Sequence, residues 1–173
     1  MYFKKTTIFV IFLIFFSPLS FFGVDENPFK NEWEVHSESI TILDVDDVIE
    51  IVNKKDGILI DSYTKDVKPE KLDKKKWFPP KRYSIPGALW LPNIGREALT
   101  IEQRKYLETG LEKITKGNKD EKIIFFCRRG YYSKIAAERA VKLGYTNVSM
   151  FPGTDLWEDG GQRLVILKEQ IFN

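Results

Sequence analysis

The chain has 173 residues, with 27 Lys and Arg against 25 Asp and Glu and a formal charge of +2. This near balance excludes the strongly basic surface that binds nucleic acid. The single cysteine excludes an internal disulfide and a dithiol redox pair. We predict no metal site and no cofactor.

Residues 1–22 have the pattern of a secretory signal peptide. Lys4 and Lys5 precede an apolar run over residues 8–16, which Ser17 and Pro18 break. The run is short for a spanning helix, which needs about 20 apolar residues. We predict a periplasmic or secreted protein. The alternative is an uncleaved N-terminal anchor, and this segment is then the only part that contacts a membrane.

Residues 23–38 are predicted to form an irregular arm, and residues 39–173 a single α/β domain. In that domain, short apolar runs alternate with helical patterns, each bounded by turn residues. The predicted strands are residues 39–43, 57–61, 88–91, 123–126 and 147–151. The predicted helices are residues 44–52, 100–114, 135–143 and 164–172, with Asp44 as a helix cap and residues 153–161 as a loop.

Residues 66–82 interrupt this pattern with a basic, proline-containing segment. Seven of them are Lys or Arg, and these surround the sequence Trp77-Phe-Pro-Pro80. A charge run of this kind is typical of solvated surface. An insertion near a site can also form part of its rim or dock a partner, and Trp77 is the residue predicted at such a rim.

Cys127 lies between the most apolar predicted strand and a predicted helix. In a strand–loop–helix unit the first helical N–H groups have no internal partner and point at an anion. These dipoles, together with neighbouring arginines, favour a thiolate. Cys127 is therefore a candidate nucleophile, and the alternative is a small buried hydrophobe. The predicted anion-binding residues are those of the loop: Arg128, Arg129, Gly130, Tyr131, Tyr132 and Ser133.

Two further residues are predicted beside this loop. Asp61 closes a predicted strand at the carboxyl edge of the sheet, where α/β proteins place their sites, and is interpreted as an acceptor that fixes a loop. Lys134 adds a positive charge directly after the loop. A cysteine phosphatase needs an arginine six positions after its cysteine, and this chain has Ser133 there.

These segments resemble the rhodanese-like domain family of sulfurtransferases. The similar elements occur in the family's order: Ile58-Leu-Ile-Asp61, Ser84-Ile-Pro-Gly-Ala88, the Cys127 loop, and residues 143–157. Trp77-Phe-Pro-Pro80 followed by residues 85–93 resembles more closely the exported rhodanese-like proteins associated with pyrroloquinoline-quinone (PQQ)-dependent catabolism. Those proteins carry a CxxCW motif, which Cys127-Arg-Arg-Gly-Tyr131 replaces here.

The resemblance implies a three-layer α/β fold with a central, mostly parallel sheet flanked by helices. It also implies a sulfurtransferase that forms a persulfide on Cys127 from a small sulfur-donor anion and passes the sulfur to a thiol or cyanide-like acceptor. Tyr132 stands where many family loops have an arginine. The alternative is therefore a non-catalytic accessory module that binds a periplasmic PQQ-dependent dehydrogenase.

Overall fold

The computed structural model describes residues 40–172. The predicted signal peptide and arm, residues 1–22 and 23–38, lie outside the described residues. The strands are β1 (Ile40–Ile42), β2 (Ile58–Asp61), β3 (Arg82–Ser84), β4 (Leu89–Trp90), β5 (Ile123–Cys127), β6 (Val148–Gly153) and β7 (Val165–Leu167). The helices are α1 (Val45–Lys54), α2 (Ile101–Thr115), α3 (Tyr131–Lys142) and α4 (Thr154–Asp159).

The central layer is a parallel sheet of five strands in the order β1-β6-β5-β2-β4. Side chains alternate across the central strand β5: Ile123 and Phe125 pack with α2 and α3, whereas Ile124 and Phe126 pack with α1 and α4. All of β5 is buried because both of its faces are covered. The predicted α/β fold with a parallel sheet between helical layers is confirmed.

Two helices begin at polar caps that the sequence shows directly. Asp44 accepts a hydrogen bond from the Asp47 N–H at 2.9 Å, and Asp47 accepts one from the Asp44 N–H at 3.1 Å. Thr100 and Gln103 make the same reciprocal pair at α2. These capping boxes satisfy first-turn amides, and the predicted starts of both helices are confirmed. None of the helices within residues 40–172 is long and apolar enough to cross a membrane.

The C-terminal part of the chain differs from the prediction. The helix predicted over residues 164–172 is wrong, because β7 pairs antiparallel with β3 in a second, two-stranded sheet. Val165 and Ile166 are β-branched and favour a strand once a partner edge is present. The loop predicted over residues 153–161 is also wrong. Its flanking glycines suggested a loop, but Trp157 is buried in the core and holds the segment as α4.

Candidate active site

Cys127 ends the central strand at the carboxyl edge of the parallel sheet. Its Sγ accepts a hydrogen bond from the Gly130 N–H at 3.1 Å and lies 3.8 Å from the Pro152 carbonyl oxygen. The residue is 1% exposed. The sulfur is therefore held between a donor and an acceptor of the backbone, and the donor stabilises negative charge on it.

The loop after Cys127 leaves the amino end of α3 open. Gly130 caps this helix with φ 97° and forms no side-chain cap bond, a backbone conformation that glycine adopts without steric cost. The first intrahelical bond runs from the Lys134 N–H to the Gly130 carbonyl at 3.0 Å. The amides of residues 131–133 consequently have no intrahelical acceptor and carry the positive end of the helix dipole.

Buried contacts with β6 fix the loop. The Ser133 hydroxyl donates to the Gly130 carbonyl at 2.8 Å and reaches the Phe151 carbonyl at 3.4 Å. Gly153 has φ 144°, and a Cβ there would lie 2.4 Å from the Cys127 carbonyl oxygen. The strand end therefore approaches the loop more closely than a residue with a side chain allows. The Ser133 side chain therefore helps to fix the loop, and it faces the core and not solvent.

A cavity of about 190 Å³ opens beside the sulfur. It brings together Cys127 and four of the six predicted anion-binding residues, and it adds Tyr63. Its lining residues are Tyr63, Cys127, Arg128, Arg129, Tyr131 and Tyr132.

Both cavity arginines are paired with one carboxylate. Arg128 Nε donates to Asp155 Oδ1 at 2.9 Å, and Arg129 Nε donates to Asp155 Oδ2 at 2.8 Å. Partial burial alone would raise the pKa of the Asp155 carboxyl, but the hydrogen bonds from Arg129 and Arg128 outweigh it and hold this pKa below its ordinary value. The arginine side chains are 54% and 69% exposed, so they remain accessible to an anion in solution.

Asp61 is connected to the cysteine loop through Arg82. Its buried carboxylate accepts from Arg82 Nε at 2.6 Å, Arg82 Nη2 at 3.0 Å, Ser84 Oγ at 2.5 Å and the Tyr63 N–H at 3.0 Å. Arg82 Nη2 also donates to the Cys127 carbonyl at 3.3 Å. Burial raises the pKa of the Asp61 carboxyl, and these hydrogen bonds oppose the rise. In this arrangement Asp61 is an acceptor that positions the backbone around the cavity.

Three tyrosines form the aromatic wall of the cavity. The ring centroids of Tyr63 and Tyr132 are 6.0 Å apart, those of Tyr131 and Tyr132 are 5.3 Å apart, and both pairs meet edge to face. The Tyr131 hydroxyl donates to the Glu97 carboxylate, and this bond raises the pKa of the tyrosine. The Arg82 guanidinium lies 4.4 Å from the Tyr63 ring centroid, a cation–π contact that fixes Tyr63 beside the loop.

The remaining predicted residues lie elsewhere. Trp77 follows a short 3-10 turn, Lys74–Lys76, and does not line the cavity at Cys127. Lys134 lies in the first turn of α3 and does not line this cavity. Residues 40–172 contain no group of three or more His, Cys, Asp or Glu side chains that could hold a metal ion.

Sequence reasoning missed Arg82, Asp155 and Glu97 as parts of the site. In the sequence, Arg82 is one charge of a basic segment, and Asp155 lies in a predicted loop. One signal was present: Asp155 follows the end of a strand, and the carboxyl ends of parallel strands meet at one edge of the sheet.

The fold and the loop together define an α/β domain with a cysteine at the open amino terminus of a helix. A family model, "Rhodanese-like domain", matches residues 36–154. The chain therefore belongs to the rhodanese-like domain family.

Several solved structures are similar to this chain at low sequence identity. Thiosulfate sulfurtransferase from Pseudomonas aeruginosa is 16% identical with a TM-score of 0.53, over 76% of this chain and 21% of that one. A Rhodopseudomonas palustris protein of unknown function, named as a possible tyrosine phosphatase, is 21% identical with a TM-score of 0.49, over 73% of this chain and 86% of that one. The human single-domain sulfurtransferase is 20% identical with a TM-score of 0.42, over 71% of this chain and 97% of that one. No curated protein sequence matches this chain.

Proposed function

We propose that this protein is an exported sulfurtransferase that carries sulfane sulfur as a persulfide on Cys127. One observation carries the proposal: the Cys127 sulfur accepts the Gly130 N–H at 3.1 Å beside the uncapped amino end of α3. Such a terminus stabilises an anion through its free amides and its dipole. Membership of the rhodanese-like domain family and the fold shared with a thiosulfate sulfurtransferase support the same chemistry.

The proposed first step loads the cysteine with sulfur. The Cys127 thiolate attacks the outer sulfur of thiosulfate, the sulfur–sulfur bond of the donor breaks, and sulfite leaves with the bonding electron pair. Arg128 and Arg129 attract this doubly charged donor to the cavity. The product is a Cys127 persulfide whose negative charge lies on the outer sulfur, next to the amides of the α3 terminus.

The second step returns the enzyme to its starting state. An acceptor thiolate attacks the outer sulfur and forms its own persulfide, while the bond between Sγ and that sulfur breaks and Sγ regains a thiolate electron pair. Cyanide accepts the sulfur in the same way and becomes thiocyanate. No oxidant or reductant is consumed, because the sulfane sulfur keeps its oxidation level as it passes from thiosulfate through the persulfide to the acceptor.

The decisive experiment is mass spectrometry of the purified chain after incubation with thiosulfate. Wild type should gain one sulfur atom, and a reducing thiol should remove it. Cys127→Ser should gain nothing while keeping the circular dichroism spectrum of wild type. Failure of wild type to gain sulfur from thiosulfate and from an organic persulfide would refute the proposal.

A second candidate function is a non-catalytic accessory module of a PQQ-dependent dehydrogenase. Two observations favour a non-catalytic role: Cys127 is 1% exposed, and both cavity arginines are engaged by Asp155. The dehydrogenase as partner rests only on the resemblance of Trp77-Phe-Pro-Pro80 and residues 85–93. This candidate requires that the chain bind such a dehydrogenase equally well with and without the thiol. Comparing the binding of wild type and Cys127→Ser to the purified enzyme separates the two candidates.

Export is the remaining part of the proposal. It rests on the residues of the sequence that precede the described domain, where Lys4 and Lys5 come before an apolar run. Sequencing the amino terminus of protein recovered from the periplasm or medium tests it. An unprocessed terminus on membrane-bound protein would support the anchor instead.

A further inference from the structure

A groove on the described part of the chain adjoins the cysteine cavity. It has a volume of about 570 Å³ and is lined by the basic segment before β3, the end of β4 and the strand β7. Tyr63 lines both the groove and the Cys127 cavity. Arg82 lines the groove and donates to the Cys127 carbonyl at 3.3 Å. A molecule in the groove therefore lies against the same residues that hold the cysteine loop.

The surface of the groove is mainly apolar. Pro79, Pro80 and Trp90 line part of it, and so does the exposed side chain of Ile166. Ile166 pairs in register with Tyr83 on β3, and the two are 52% and 51% exposed. Opposed residues of an antiparallel pair share one face, so this apolar surface continues beyond the groove. A contiguous exposed apolar patch beside a site is typical of a protein-binding surface.

The charge around the groove indicates the kind of partner. Residues 66–82 contain seven Lys and Arg against three Asp and Glu, and of these cations Arg82 is neutralised by Asp61. In the groove itself Lys65 is paired with Glu169, whereas Lys81 and Lys168 form no ion pair within residues 40–172 and outnumber the one remaining carboxylate, Asp66. Complementary charge steers association and selects partners, and the complement here is acidic.

We infer that this groove docks the sulfur acceptor, and that the acceptor is a partner protein presenting a cysteine within an acidic segment that has apolar residues. The inference rests on the proposed function and identifies the substrate class of its second step. The apolar residues of the partner cover Ile166 and the prolines, and its carboxylates meet Lys81 and Lys168. Its thiolate passes Tyr63 to reach the outer sulfur on Cys127.

The test uses the full chain and two peptide probes. Each probe has a central cysteine flanked by leucine; one ends in Asp and Glu, and the other ends in Lys and Arg. Binding is measured first, by fluorescence anisotropy of labelled probes in which serine replaces the cysteine. This measurement needs no persulfide, so it tests the docking surface even if the sulfur chemistry fails. Transfer from the persulfide-loaded chain to each cysteine probe and to 2-mercaptoethanol is measured second.

The inference predicts about tenfold tighter binding and faster transfer for the acidic probe than for the basic one. Lys81→Glu should remove most of this preference, and Ile166→Ser should weaken the binding of both probes about equally. Transfer to 2-mercaptoethanol should continue in both variants. Lys105→Glu is the matched control, because it reverses an exposed charge on α2 outside the groove. It should leave the preference unchanged.

Equal binding of the two probes, a preference that survives Lys81→Glu, or unchanged binding of both probes by Ile166→Ser would overturn the inference. A dimer of the chain that Ile166→Ser dissociates would overturn it in favour of a second copy as the occupant. If the acidic probe binds but wild type never gains sulfur, the docking surface stands and the sulfurtransferase proposal fails.

Discussion

Arg82 donates two hydrogen bonds to the buried carboxylate of Asp61, from Nε at 2.6 Å and from Nη2 at 3.0 Å. The same Nη2 reaches the Cys127 carbonyl. The basic segment thereby supplies a buried cation, Arg82, which connects the ends of the strands β2 and β5. The pair has little contact with solvent, since the side chains are 10% and 0% exposed.

Arg82→Ala should destabilise the fold strongly. Removing one member of a buried pair leaves the other charge uncompensated, at a cost of about 3–5 kcal/mol. Urea unfolding followed by tryptophan fluorescence measures this loss. Lys76→Ala is the control, since Lys76 is an exposed cation of the same segment and its loss should change the free energy of unfolding by less than about 0.5 kcal/mol. Equal small effects would mean that the pair does not stabilise the domain.

This pair also shows what the sequence could and could not predict. The strand before Cys127 was predictable because four consecutive apolar residues fit a strand buried on both faces, and α1 was predictable from its Asp44 cap. Asp61 and Arg82 are 21 residues apart, and no local pattern pairs them. The strand β7 exists because β3 offers it an edge. Contacts between residues that are far apart in the sequence depend on how the chain folds. Hydrophobic periodicity and capping rules do not predict them.

Asp155→Asn should strengthen the attraction of the cavity for an anionic donor. In wild type the carboxylate pairs with Arg128 and Arg129. Without its negative charge, both guanidinium groups can interact with the anionic donor. We expect KM for thiosulfate to fall about two- to fivefold, the effect of an exposed ion pair, with little change in kcat. Glu158→Gln removes the same charge from the neighbouring surface of α4 and should have a smaller effect. A raised KM in Asp155→Asn would show that Asp155 positions the arginines for binding.

The pH dependence of stability should differ between wild type and Asp155→Asn. The pKa of the Asp155 carboxyl is held below its ordinary value, so the folded state binds this proton less readily than the unfolded state. The ion pairs therefore stabilise the fold above the ordinary pKa of about 3.9, and this stabilisation is lost as the pH falls through the lower folded pKa. Thermal midpoints should be higher for wild type at neutral pH and converge with those of the variant in strong acid. A difference that stays constant with pH would contradict this assignment.

Gly153→Ala should damage both the stability of the domain and the chemistry of the loop. A Cβ at this position would lie 2.4 Å from the Cys127 carbonyl oxygen, so either β6 or the loop has to move. Gly161→Ala is a matched control, because Gly161 also has a positive φ, 75°, but a Cβ there meets nothing within 4 Å. In Gly161→Ala, backbone strain alone should lower the free energy of unfolding by about 1 kcal/mol. In Gly153→Ala, the clash should lower it by roughly a further 2 kcal/mol or more. Urea unfolding gives the two free energies, and sulfur uptake from thiosulfate reports the loop. If both variants lose equal stability and load sulfur at the wild-type rate, the close approach of the β6 end does not position Cys127.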